Sequence, residues 1–142
     1  TNRLAGLVNL VPGNVEAGIH LCYGDSGHKH FIEPIDAGHL VDVANGIAAK
    51  ASQPVAWIHL PVPRERDDAA HFAPLADLRL GNKTELYLGL VHMTDGLEGT
   101  RGRLAAACGV VSEFGIATEC GLGRRGRETI PQLLGIHQKL CG

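Results

Sequence analysis

The chain has no run approaching the ~20 uninterrupted apolar residues of a membrane span. Its N-terminus lacks the basic, apolar, small-residue order of a signal peptide. Neither membrane insertion nor secretion is expected, and the chain reads as cytoplasmic. Excess charge is also missing, since 13 Lys plus Arg stand against 15 Asp plus Glu for a formal net charge of -2. With cations scattered among acids there is no basic stripe to neutralise a phosphate backbone, so nucleic acid is not an expected partner. Absent too is the Cys-x₂₋₄-Cys spacing of a structural zinc site. Cys22, Cys108, Cys120 and Cys141 are widely separated in a chain without an export signal. That pattern favours metal or thiol chemistry over a disulfide framework.

Glycine and histidine are abundant. The 19 glycines in 142 residues are about twice the average share of ~7%, which points to many tight strand-to-helix corners. Eight histidines supply much imidazole to a chain with 20% charged residues. Length and an apolar fraction of 44% describe one domain over residues 1–142.

Short apolar or β-branched runs lie at Gly18 to Tyr23, Val55 to Val62, Glu85 to His92 and Gly115 to Cys120. Each precedes a segment with helical spacing. Asp36 to Ala51 puts Leu40, Val43, Ala44 and Ile47 on one stripe, and Asp67 to Leu78 carries Phe72, Leu75 and Leu78. Glu98 to Phe114 carries Leu104, Ala105, Cys108 and Val111, and Thr129 to Leu140 carries Leu133, Ile136 and Leu140. Asp36, Asp67 and Thr129 suit helix starts, and Pro131 falls in a first turn. A strand-helix order recurring at about 30 to 37 residues predicts an α/β fold with a parallel sheet, its strands buried on both faces. The pattern fits an open sheet or an arc of a barrel, and a complete eight-fold barrel needs ~250 residues. Asn2 to Val11 reads as the end of a helix before the Pro12-Gly13-Asn14 loop, with no strand of its own before it. That orphan helix, and a first residue Thr1 instead of Met, suggest a piece of a longer polypeptide.

In parallel α/β folds the site lies at the carboxyl ends of the strands. There this sequence has His20, Cys22 and Asp25, then His59 and Arg64, then His92, Thr94 and Asp95, and last Glu119 and Cys120. His20 and Cys22 are two apart, so on a strand they share one face. With Cys120 from a later strand they make three donors suited to Zn²⁺ and leave one position open, as in a catalytic site. An isolated His-x-Cys is more often a buried thiol beside a hydrogen-bonded histidine. Cys120 favours the metal, because it ends another strand on the same rim and leads into the loop Gly121-Leu122-Gly123-Arg124-Arg125. Cys108, on a helical stripe, and Cys141, next to the terminus, read as inert.

The segment His20-Leu21-Cys22-Tyr23-Gly24-Asp25 resembles the His-x-Cys-Tyr strand end of cobalamin-independent methionine synthases. Glu119-Cys120-Gly121-Leu122-Gly123-Arg124 resembles their Asp-Cys-Gly-Leu loop. The resemblance covers essentially the whole chain. It implies the last four βα units, a half barrel, of a (β/α)₈ TIM barrel, in a superfamily shared with uroporphyrinogen decarboxylase and coenzyme M alkyltransferases. It further implies that His20, Cys22 and Cys120 bind zinc. Where the methionine synthases add a glutamate, in a pattern like Ile-Glu-Thr-Ser-Arg, this chain has Leu60-Pro61-Val62-Pro63-Arg64, with proline at the glutamate position. His59 or His92 then comes into view as a fourth donor.

The activity so implied is methyl or other alkyl transfer from a donor, of the methyltetrahydrofolate type, to a small thiol of the homocysteine type. Zinc holds the thiol as a thiolate, which a free thiol of pKa ~8.5 mostly is not at neutral pH. His92, Asp95 or Asp25 would pass the proton, with a helix cap or loop hydrogen bond as the plainer role of each. Arg64 and Arg124, with Glu119, are the candidate substrate contacts, and Arg66 and Arg125 are further cations beyond strand ends that suit a planar anion. His28 and His30 read as loop residues near the mouth, and His39, His71 and His137 as helix residues without a role. Other readings are a metal-free decarboxylase or lyase of the same superfamily, a coenzyme M-type alkyltransferase, and an inactive relative. A half barrel should pair with a second copy, join a missing half, or aggregate.

Overall fold

A computed structural model describes residues 1–24 and 30–141, with the backbone alone for Arg124. Helix α1 (Asn2–Val8) leads into β1 (Ala17–His20), followed by α2 (Gly38–Ala48), β2 (Val55–Pro61) and α3 (Ala69–Phe72). The chain continues with β3 (Glu85–Val91), α4 (Gly96–Cys108), β4 (Gly115–Thr118) and α5 (Ile130–Cys141). The strands form one parallel sheet in the order β1-β2-β3-β4, with His20 beside His59, His59 beside Tyr87, and Tyr87 beside Gly115. This is a mixed α/β arrangement compatible with half a barrel. Among the described residues no helix is long and apolar enough to cross a membrane.

Alternation along each strand sorts its residues to two sides. Ile58, Leu60 and Val62 join Leu86, Leu88 and Leu90 in one apolar core with Leu40, Val41, Ala44 and Ile47 of α2 and with Phe72 and Leu75. Each large side chain buried there contributes about 1.5–3 kcal/mol of transfer free energy. A smaller core joins Val91 to Leu133 and Ile136 of α5. The opposite side of the sheet carries His20, Trp57, His59 and Tyr87, which line an open groove of about 440 Å³. Trp57 is 37% exposed there. The expectation of strands buried on both faces therefore fails on this side, because the described chain supplies no wall opposite it.

Several boundaries differ from the sequence reading. Each strand ends one to three residues early, so Cys22 and Cys120 lie just beyond β1 and β4. The third helical segment breaks after Phe72 into a 3₁₀ turn at Ala73–Asp77. Pro74 there has no N–H for the helical ladder, and its ring crowds the carbonyl four residues back. Asp68, not Asp67, caps α3 by accepting the His71 N–H at 3.0 Å. Thr129 directly precedes α5 as the spacing predicts, and its hydroxyl donates to the Gly126 carbonyl.

On α4 the buried residues are Thr100, Arg103 and Ala107. Leu104 and Val111 do reach the core, but Ala105 and Cys108 are exposed. The helix is turned so that Arg103, 1% exposed, ties down the carboxyl end of β3. Its Nε donates to the Leu90 carbonyl at 2.9 Å and its Nη1 to the Arg64 carbonyl at 2.6 Å.

Candidate metal centre

His20 closes β1 on the open side of the sheet, and Cys22 follows it past one more ladder bond, Leu21 N–H to the His59 carbonyl. Cys120 sits two residues after β4. Three strand spacings of about 4.8 Å separate the first and last strands of a flat sheet. The curl of this sheet nevertheless brings the Cys22 and Cys120 sulfurs to 4.0 Å and Cys120 Sγ to 3.6 Å from His20 Nε2. All three ligand atoms lie within 4.8 Å of one another, a group able to hold a metal ion. The Gly24 N–H donates to Cys22 Sγ at 3.3 Å. Gly24 turns the chain there at φ 99°, where a Cβ would come within 2.4 Å of the Phe31 ring. Glycine is the residue that adopts this left-handed conformation at no steric cost.

His59 backs this group. Its Nδ1 lies 2.6 Å from His20 Nδ1, with the rings stacked at 4.7 Å, and its Nε2–H donates to the Thr118 carbonyl at 3.0 Å. Burial, then the neighbouring His20, push the His59 pKa down to about 4, against a smaller upward pull from the Thr118 bond. Both ring nitrogens are committed, so His59 is a support and not the fourth donor considered from sequence. His92 is not in the donor group either. It is buried, its Nε2–H donates to the Val62 carbonyl at 2.8 Å, and its Nδ1 lies 3.4 Å from Glu119 Oε2. Burial is the main cause that lowers its pKa to about 4.

A cleft of about 470 Å³ adjoins the centre and shares Cys120 with it. Glu119 lies inside, accepting from His30 Nε2 at 2.5 Å, while His30 Nδ1 donates to Glu33 at 3.1 Å. Burial works to lower the His30 pKa, but Glu33 and Glu119 outweigh it and raise it above the usual imidazole value. Arg64 and Arg125 line the same cleft. Arg64 reaches Thr94 Oγ1 at 3.3 Å and pairs with Glu65. Arg66 is drawn aside to Asp68 and to the Ile35 carbonyl.

Asp95 has a different part from the one expected. Arg103 grips its carboxylate with two hydrogen bonds, at 2.6 and 2.9 Å. Burial alone would raise the Asp95 pKa, but the bonds and charge of Arg103 hold it below the ordinary carboxylate value. A carboxylate so held is an anchor for α4 and does not carry protons near neutrality. Asp25 and His28 lie outside the described residues, as does the Arg124 side chain.

Sequence reasoning missed Arg103 and read His30 only as a loop residue. The signal for Arg103 was faint: α4 carries Thr100 and Arg103 where its packed side needed apolar residues. Comparison with models of known protein families finds no match, and comparison with curated proteins finds none.

Proposed function

We propose that the chain forms the C-terminal half of a TIM-type (β/α)₈ barrel of the cobalamin-independent methionine synthase kind, acting in zinc-dependent transfer of a methyl or other alkyl group to a small thiol. The size of the donor triangle carries this reading. Tetrahedral zinc, with bonds of about 2.3 Å to sulfur and about 2.0 Å to nitrogen, has edges of about 3.8 Å between sulfurs and about 3.5 Å from sulfur to nitrogen. Two edges of the triangle, Cys22 to Cys120 and Cys120 to His20, are 4.0 and 3.6 Å, and the third is within 4.8 Å. Three protein donors leave a fourth position for substrate, as catalytic zinc sites do. Pro61 offers no ligating atom from β2.

Zinc bound at these residues would hold an acceptor thiol as its thiolate at neutral pH. His20, Cys22 and Cys120 are the ligands. Neutral His92, its Nε2–H spent on Val62 and its pKa lowered to about 4, keeps its ring beside Glu119 without holding a proton near neutrality. His30 links Glu119 to exposed Glu33, a route from cleft to solvent. Arg64 and Arg125 suit a carboxylate or sulfonate on the substrate. The alkyl donor is assigned to the wall opposite, supplied by the other barrel half or a second copy.

Metal analysis of the purified full chain tests this. About one zinc per chain is expected, lost in Cys22→Ser and Cys120→Ser. Adding homocysteine to the zinc-loaded chain should release about one proton per thiol bound. A preparation exposed to zinc that retains none overturns the reading.

A further inference from the structure

We propose that His59 is a positioning residue for the metal centre, holding His20 in the tautomer that carries its proton on Nδ1 and turns Nε2 to the two sulfurs. The inference rests on the metal reading above.

The argument starts from an atom that cannot donate. The Thr118 carbonyl only accepts, so the His59 nitrogen 3.0 Å from it, Nε2, carries the hydrogen. A neutral imidazole has one N–H, so His59 Nδ1 is an acceptor. The 2.6 Å contact between the two Nδ1 atoms then requires the hydrogen to be on His20. His20 Nε2 is left with its lone pair toward Cys120 Sγ, at 3.6 Å. The opposite polarity would put a hydrogen on that nitrogen and block it as a ligand.

This row crosses the entire sheet: His20 on β1, His59 on β2, then over β3 to Thr118 on β4. The crossing is possible because β3 has Gly89 at that point. A Cβ at residue 89 would lie 3.1 Å from His59 Nε2, 3.1 Å from the Thr118 oxygen and 2.8 Å from the Glu119 Cα. An absent side chain on β3 thus lets a carbonyl on β4 direct a ligand on β1, three strands away. Such support fixes ring orientation and raises ligand basicity, and its loss typically costs 10- to 100-fold in metal affinity.

The test uses the full chain with ¹⁵N-labelled histidine. Long-range ¹H–¹⁵N spectra should show His20 protonated at Nδ1 with and without zinc. In His59→Phe, which keeps a ring but no nitrogen, zinc affinity measured against a chromophoric chelator should fall about 10- to 100-fold, with His20 no longer in one tautomer. His59→Asn, whose amide oxygen can replace Nδ1 as acceptor, should regain much of that loss. Gly89→Ala should act as His59→Phe does. Zinc binding by His59→Phe equal to that of the parent chain, or a parent His20 protonated at Nε2, overturns the proposal. A parent chain that binds no zinc overturns the metal reading instead, and the His20 tautomer in the zinc-free chain still decides the relay.

Discussion

Cys22 and Cys120 are 98 residues apart and follow strands at opposite edges of the sheet, yet their sulfurs lie 4.0 Å apart. The separation suits two ligands of one metal ion, and it also leaves the thiols about 2 Å from a disulfide bond length.

The zinc-free chain treated with dilute hydrogen peroxide should therefore join Cys22 to Cys120, with two thiol hydrogens and the peroxide leaving as water. Exposed Cys108 and Cys141 should stay outside this intramolecular bridge. Zinc added first should suppress the reaction. Peptide mapping under non-reducing conditions reads the result, and a bridge involving Cys108 would contradict the geometry.

Arg103 should be among the costliest residues to replace in α4. Arg103→Met leaves Asp95 and the carbonyls of Leu90 and Arg64 without their partner. The loss should be about 3 kcal/mol in urea unfolding, toward the low end for a broken buried pair because Asp95 is partly exposed. Asp95→Asn, which keeps an acceptor for Arg103, should cost less. A neutral Arg103→Met would show that α4 docks by its apolar contacts alone.

Stability should fall in mild acid. His71 and His92 have pKa values lowered to about 4, in both cases mainly by burial. The unfolded chain takes up protons near pH 6.5, where the folded chain does not, so folding becomes less favourable as pH drops from about 6.5 to 4. Above that window their contribution is complete. Among the described residues neither ring nitrogen of His71 has a hydrogen-bond partner, so His71→Phe should flatten the pH dependence. Urea midpoints at a series of pH values measure this, and an unchanged slope would remove His71 as a cause.

Trp57, the sole tryptophan, reports on the open side of the sheet. If a second copy or another half covers that side, its emission should shift to the blue and acrylamide quenching should weaken as assembly proceeds. Trp57→Lys should hold the chain apart, since a charge would then face the apolar groove. Assembly seen by light scattering with no change at Trp57 would direct attention to another surface.

The strand-helix alternation was legible because period 2 and period 3.6 are local properties of side-chain direction. Leu40, Ala44 and Ile47 on α2 and Leu133 and Ile136 on α5 do pack inward as their spacing predicts. The same logic misjudged α4, where a charged residue occupies the packed side. Arg103 is tolerable there because Asp95 and the carbonyls of Leu90 and Arg64 take four of its five N–H donors. Hydropathy cannot foresee such partners, since they come from distant parts of the chain. Asp95 was misread for the same reason.

Residue order alone was enough to nominate His20, Cys22 and Cys120, because two donors at spacing 2 share a face and a third ends another strand. Their approach around one point depended on how far the sheet curls, a sum of twists and packing forces spread over all the strands. The support of His20 by His59 depended on a gap at Gly89 and on a carbonyl at Thr118. Backbone carbonyls are the same in every residue, so which one faces a histidine is settled by the folded path and leaves no trace in the letters.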